Sequence, residues 1–83
     1  MTSRAEVEEE VFRVIRTFKP EGSTIERDQK LIAGLKLLSD DATAIAIRLE
    51  RKFKVKIPLN EWGNVSTVQD MINLLVRHTV NNP

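Results

Sequence analysis

The chain has 83 residues, of which 41% are hydrophobic and 30% are charged, and its formal net charge is +1. This size and composition predict one folded domain with a single core, too small for a deep enzyme cleft, so we expect no catalytic activity in the chain itself. The absence of cysteine excludes disulfides and thiolate metal sites, and a lone histidine cannot form a zinc site, so no metal is expected. The near-neutral charge and the lack of a long apolar run argue against nucleic-acid binding, secretion and a membrane span, and a cytoplasmic monomer is expected.

The first predicted helix begins at a capping box made by Ser3 and Glu6. Its acids lie in the first half and its bases in the second half, which suits the helix dipole and allows Glu9 to pair with Arg13. The pattern ends before Pro20. The apolar residues at helical spacing are Val7, Val11, Phe12, Ile15 and Phe18.

The segment from Pro20 to Gly34 is predicted to be a long loop that is pinned to the core by a few apolar residues. Loops of this length in small domains usually contain some local structure. We expect a helical turn that is capped by Asp28 and runs through Leu31.

The most strongly marked helix lies between Leu35 and Phe53. Ser39 is predicted to be its N-cap, and Asp40 and Asp41 place negative charge in the first turn, where the helix dipole favours it. Ile47 lies off the apolar stripe, which predicts an exposed apolar side chain. The stripe itself consists of Ala42, Ile45, Ala46, Leu49 and Phe53.

The last third of the chain predicts a loop, a short helix and a long helix. The segment from Lys54 to Ile57 alternates in polarity, as a strand does, but it is too short to form a sheet. It is therefore predicted to be a loop that is held to the core by buried apolar side chains. A short helix is predicted from Pro58 to Trp62, and Ser66 or Thr67 is predicted to cap a last helix. Its core face is made of Val68, Met71, Ile72 and Leu75, with Arg77 and His78 near its end. The predicted fold class is all-α, a small bundle of three main helices plus one short helix in a single domain over residues 1–83.

Marks spread along the chain resemble those of the acyl carrier proteins. Ile25, Asp28 and Leu31 look like the family's I-x-x-D-x-x-L loop, and Ser39 stands before Phe53 at the spacing of the family's modified serine from its helix-end phenylalanine. The other marks are Gly34 and Leu35 before the serine, Val55, Ile57 and Pro58 after the phenylalanine, and Ser66, Thr67 and Val68 at the start of the last helix.

The resemblance implies a carrier rather than a catalyst. A phosphopantetheinyl transferase would attach 4'-phosphopantetheine from coenzyme A to Ser39, and acyl-loading and acyl-transferring enzymes would use the thioester that the arm holds. The surface presented to these partners would consist of Asp40, Asp41, Ala44, Ile47, Arg48 and Arg51. The candidates for an acyl pocket are Leu49, Ile57, Val65 and Ile72, for which an ordinary place in the core is an equal alternative.

Departures from the family pattern predict a specialised carrier. The family's D-S-L is here Leu38, Ser39 and Asp40, and the usually acidic second helix has three acids and three bases. Because charge complementarity mainly sets partner choice, we expect unusual partner enzymes. Two alternatives remain: an unmodified interaction module in which Ser39 is only a helix cap, and a module that binds anionic surfaces. The latter would use a basic cluster made of Arg48, Arg51, Lys52, Lys54 and Lys56.

Overall fold

The computed structural model describes residues 2–19, 24–31, 34 and 39–80. Four helices lie in this part of the chain: α1 (Arg4–Arg16), α2 (Ser39–Phe53), α3 (Leu59–Trp62) and α4 (Val68–Thr79). Helix α1 packs against both α2 and α4, and α3 packs against α4. The predicted small all-α bundle is therefore confirmed. The described ranges contain one isolated β-bridge, between Lys30 and Thr67, and no strand. None of the helices in these ranges has the length and apolar character needed to span a bilayer.

The start of α1 has the predicted Ser3 cap but only half of the predicted capping box, because Glu6 Oε1 accepts from the Ser3 hydroxyl at 3.4 Å and not from the Ser3 backbone N–H. Ser3 has an extended backbone, and its hydroxyl accepts a hydrogen bond from the backbone N–H of Glu6 at 3.2 Å. On the helix surface, Arg13 pairs with Glu10, with 3.1 Å between Nε and Oε1, rather than with the Glu9 that we predicted. Glu9 and Glu10 are both within reach of Arg13, because residues three and four apart lie on the same face of a helix.

The end of α2 is closed by a residue in the left-handed conformation. Lys54 has a φ of 56°, and the backbone N–H of Val55 donates to the carbonyl of Glu50 at 3.0 Å. This is the hydrogen bond of a Schellman cap, in which glycine is the preferred left-handed residue because it has no Cβ to clash. The segment after α2 therefore begins as a capped helix end and continues as the predicted loop, in which Ile57 is buried and Val55 is half-buried.

Lys54→Gly is expected to raise the free energy of unfolding by about 0.5–1 kcal/mol, because glycine relieves the steric cost of the positive φ. Lys56→Gly is the matched control. Lys56 does not have a positive φ, so the same change there only adds freedom to the unfolded chain and should not stabilise the fold. Urea unfolding of the two variants tests this, and equal effects would contradict the Schellman cap.

Helix α4 begins at a complete capping box. The Thr67 hydroxyl accepts from the Asp70 N–H at 3.1 Å, and the Asp70 carboxylate accepts from the Thr67 N–H at 3.1 Å. The Ser66 N–H and hydroxyl donate to the same carboxylate oxygen. This resolves the choice between Ser66 and Thr67 in favour of Thr67 as the N-cap.

The segment from Arg27 to Leu31 ties α1 to α4. Its backbone carbonyls at Arg27 and Gln29 accept from the first-turn N–H groups of Gln69 and Val68, at 2.7 and 3.0 Å. On the other side, the Arg27 guanidinium donates to both carboxylate oxygens of Glu8, at 2.6 and 3.0 Å, and lies over the ring of Phe12. A turn is present here, but it spans Glu26 to Gln29, where the Gln29 N–H donates to the Glu26 carbonyl at 3.2 Å, and not Asp28 to Leu31 as we predicted. The Leu31 N–H donates instead to the Ser66 carbonyl at 2.8 Å.

The core is built from one face of each long helix. The apolar positions predicted for α4 are all buried, as are the aliphatic positions predicted for α1. Phe12, Phe18 and Phe53 pack against the core from its edge and are only half-buried. The fully buried side chains are Val7, Val11, Ile15, Ile45, Leu49, Val68, Met71, Ile72 and Leu75.

Hydrogen bonds hold the pKa values of four carboxylates below their ordinary range. The pKa of Glu8 is lowered by Arg27, that of Glu10 by Arg13, that of Glu61 by His78 and then Arg77, and that of Asp70 by the backbone N–H groups of Ser66 and Thr67. Each group binds its proton more tightly in the unfolded chain than in the folded chain, so its ionised form stabilises the fold.

The free energy of unfolding is accordingly expected to fall on acidification. The contributions are complete above the ordinary pKa values of 4.5 for glutamate and 3.8 for aspartate, and they are lost as the pH falls through the lowered folded values. Urea unfolding followed by circular dichroism between about pH 7 and pH 3 measures this. Asp70→Asn should flatten part of the dependence, whereas a stability that rises below about pH 4.5 would contradict it.

Candidate functional site

The N-terminus of α2 is the first part of the candidate site. The helix begins at Ser39, and its first turn carries Asp40, which is exposed, and Asp41, which is half-buried. Ser39 is the first residue of the helix and not, as we predicted, the N-cap residue that precedes it. The predicted N-cap hydrogen bond depends on its side chain, which lies outside what the structure describes. The backbone nevertheless places position 39 at the positive end of the helix dipole, where unpaired N–H groups favour an anion.

An apolar cavity of about 360 Å³ lies beside α2, on the side of α3. Helix α2 contributes Ala42, Thr43, Ala46, Ile47 and Glu50 to its wall. These positions are three and four residues apart and therefore form one helix face. Extending the same spacing by one turn toward the N-terminus reaches position 39. The candidate attachment position and the cavity thus share one face of α2.

The opposite wall of the apolar cavity is formed mainly by α3 and its flanking loops. Two large apolar side chains at the edge of the cavity are exposed, Ile47 at 42% and Leu59 at 84%. Exposed apolar side chains at the mouth of a cavity are suited to contact with a partner or a ligand. The other described residues of the wall are Leu31, Ile57, Trp62, Gly63, Val65 and Met71.

Glu50 is the charged residue among the described residues that line the apolar cavity. Its Oε2 accepts from the backbone N–H of Ile57 at 2.8 Å and from the indole N–H of Trp62 at 3.5 Å. The carboxylate therefore holds the connection between α2 and α3 against α2. It also places one charged acceptor group in a wall that is mainly apolar.

The four predicted acyl-pocket residues fall into two pairs. Ile57 is buried and Val65 is half-buried, and both line the apolar cavity. Leu49 and Ile72 are fully buried in the core and are not part of the described cavity wall. On α2, Leu49 belongs to the same face as Ile45, which packs into the core. Ala42, Ala46, Glu50 and Trp62 were not predicted as pocket residues, although the spacing of the first three from Ser39 contains the signal.

The predicted partner surface is exposed at Asp40, Ile47, Arg48 and Arg51, whereas Asp41 and Ala44 are half-buried. Its members face different neighbours. Ile47 borders the apolar cavity. Arg48 turns toward α1, where its Nη1 donates to the Thr17 hydroxyl at 3.3 Å and its guanidinium lies 5.0 Å from the centre of the Phe18 ring.

A second concave region, which we call the basic groove, lies between α1 and α2 and has a volume of about 350 Å³. Arg48, Arg51 and Lys52 of the predicted basic cluster line it. Lys54 and Lys56 are exposed on the segment that follows α2 and lie outside the described lining. The α1 residues of the lining are Glu10, Arg13, Val14 and Thr17.

Comparison with protein-family models and with curated proteins finds no match for this chain. The described residues contain no group of three or more His, Asp or Glu side chains arranged to hold a metal ion.

Proposed function

We propose that the chain is a specialised acyl carrier, with the Ser39 hydroxyl as the attachment point of a 4'-phosphopantetheine arm. The observation that carries the proposal is the register of α2. Position 39 begins the helix, and Ala42, Thr43, Ala46, Ile47 and Glu50 continue the same face along the apolar cavity. This is the arrangement that a carrier needs, because the group attached at position 39 must have an apolar surface within reach.

The start of α2 suits such a group. A phosphodiester at position 39 would stand at a helix N-terminus, where the N–H groups and the dipole favour negative charge. Asp40 and Asp41 oppose this charge. Solvent and salt screen the repulsion from the exposed Asp40 more than that from the half-buried Asp41. The bound arm supplies a thiol that carries an acyl group as a thioester.

The apolar cavity also supports the proposal, because it could hold the acyl group that the arm carries. Its volume of about 360 Å³ lies at the lower end of the range of about 300–1,000 Å³ that is typical of small-molecule sites. Burial of acyl carbons against Ala42, Ala46 and Ile57 would stabilise the loaded carrier by about 0.8 kcal/mol for each methylene group. Exposed Ile47 and Leu59 would meet the partner enzymes at the mouth of the cavity.

Priming is tested by intact-mass spectrometry. After incubation with coenzyme A, magnesium and a broad-specificity phosphopantetheinyl transferase, the protein is expected to gain the mass of one phosphopantetheinyl group. Ser39→Ala should gain none. Ser66→Ala is the matched control, because Ser66 is an exposed serine close to the start of another helix, two residues before α4, and this variant should be primed normally. A mass that several transferases leave unchanged, or priming of Ser39→Ala, would overturn the proposal.

An unmodified interaction module is the second candidate function. It is favoured by the exposure of Ile47 and Leu59 and by the basic groove, none of which involves Ser39. Intact-mass measurement of the protein from its native cells separates the two functions, since a carrier would retain the arm or the arm with its cargo.

A further inference from the structure

The basic groove concentrates positive charge in a chain that is almost neutral. Four cations and one acid line it, so its lining has a formal charge of +3, whereas the whole chain has +1. The cations are Arg13, Arg48, Arg51 and Lys52, and the acid is Glu10. Local charge of this kind guides the association of an oppositely charged partner.

Two of these cations are held in place by other side chains. Arg13 donates to the carboxylate of Glu10, which lowers the pKa of Glu10. Arg48 is held between the Thr17 hydroxyl and the ring of Phe18. Because these contacts fix the two guanidinium groups before any partner binds, less side-chain entropy is lost on association.

The other two cations are available to a partner. Within the described part of the chain, the side chains of Arg51 and Lys52 form no hydrogen bond and no ion pair within 4 Å, although the positive charge of Lys52 helps to lower the pKa of Glu10. Both follow Arg48 by about one helical turn, which places them about 4.5–6 Å further along the helix axis. A helix that lies alongside α2 and has carboxylates four residues apart matches this spacing.

We propose that the basic groove is a docking site for an acidic helix of a partner protein. Carboxylates four residues apart on the partner helix pair with Arg48 and, one turn further along α2, with Arg51 and Lys52. An apolar residue of the same helix packs on Ile47, which lies one turn before Arg51 on the exposed side of α2. The proposal names the chemistry of the carrier's partner and in that sense rests on the proposed function. The groove itself does not include Ser39.

The shape and the aromatic residues favour a protein over other anions. Single-stranded nucleic acid is usually bound by stacking of bases on exposed rings, but the Phe18 ring is covered by Arg48, and the Phe12 ring has Arg16 and Arg27 over it. An anionic bilayer is flat on this scale, whereas Arg48, Arg51 and Lys52 line a concave surface between two helices. A narrow element with its own side chains fits that surface better.

The test is a titration of isotopically labelled protein, followed by NMR, with a synthetic amphipathic helical peptide. The peptide carries Glu at positions spaced by three and four residues and a leucine beside them. A second peptide replaces every Glu with Gln. At about 50 mM salt, we expect the Glu peptide to bind at least about tenfold more tightly than the Gln peptide and to shift the signals of groove residues and Ile47.

Charge-reversal variants decide whether the groove is the site. Arg51→Glu with Lys52→Glu should weaken binding by about tenfold or more. Lys30→Glu with Lys56→Glu is the control, because it makes the same change in net charge at two exposed lysines outside the described groove lining, and it should weaken binding by less than about threefold. Circular dichroism of both variants verifies the fold.

Two outcomes would overturn the proposal. Equal weakening by the two double variants would show that binding follows net charge alone. Tighter binding to vesicles of phosphatidylcholine and phosphatidylglycerol than to the peptide, lost in the Arg51→Glu, Lys52→Glu variant, would assign the groove to a membrane. Ser39→Ala should bind the peptide normally, so a failure of docking and a failure of priming are distinguishable.

Discussion

Leu49→Ala is expected to lower the free energy of unfolding by about 3 kcal/mol. Leu49 is fully buried on the core face of α2, and truncation of such a residue removes apolar burial and leaves a cavity, at a total cost of about 2–5 kcal/mol. Single-domain proteins of this size are often stabilised by only about 5 kcal/mol. The variant should therefore be close to its unfolding midpoint in mild urea, and urea unfolding followed by circular dichroism measures the difference.

Ile47→Ala is the matched control on the same helix. Ile47 is 42% exposed, so its truncation should change the free energy of unfolding by about 0.5 kcal/mol or less. The comparison of the two variants also tests whether Leu49 belongs to the core or to the acyl pocket. If Leu49→Ala lowered the free energy of unfolding by less than about 1 kcal/mol, this would contradict the place of Leu49 in the core and would favour the predicted acyl pocket instead.

Glu50→Ala is expected to cost about 2 kcal/mol. Its carboxylate accepts from the backbone N–H of Ile57, a residue that is only 4% exposed, and removal of the acceptor leaves that donor buried without a partner. The indole N–H of Trp62 loses its acceptor as well. Since Trp62 is the only tryptophan of the chain, its fluorescence reports both the local change and the global unfolding.

Glu50→Gln separates the hydrogen bond from the charge. The side-chain carbonyl of glutamine can still accept from the Ile57 N–H, so this variant should cost less than about 1 kcal/mol. If both variants lost the same stability, the negative charge of Glu50, rather than its role as an acceptor, would hold the segment before α3.

The sequence predicts well what depends on neighbours along the chain. The Ser3 cap, the end of α2 at Phe53 and a cap at Ser66 or Thr67 are predicted from residues within about one turn of each helix end, and the start of α2 at Ser39 lies within one residue of the prediction. The unpaired backbone groups at a helix end can be satisfied in only a few ways, and the side chains that supply the missing hydrogen bonds are readily recognised in a sequence. The all-α bundle follows from these helices and their apolar faces.

The contacts that the sequence does not predict are those between residues far apart in the chain. The pairing of Arg27 with Glu8 and the contact of Arg48 with Thr17 depend on how two elements pack, and no local pattern specifies it. The same holds for the division of α2 into a core face, a cavity face and a groove face. Helical spacing shows which residues share a face, but only the packing of α1 and α3 shows what that face contacts.

The segment from Arg27 to Leu31 has a consequence for the exchange of amide hydrogens. Helix α4 cannot protect its first amides by itself, because the first N–H groups of a helix have no partner within it. The amides of Val68 and Gln69 are bonded to the carbonyls of Gln29 and Arg27 instead. Their exchange with deuterated solvent should therefore report the opening of this segment from α4, at a free energy below that of global unfolding. Two amides of the last helix thus become probes of a loop about forty residues earlier in the chain.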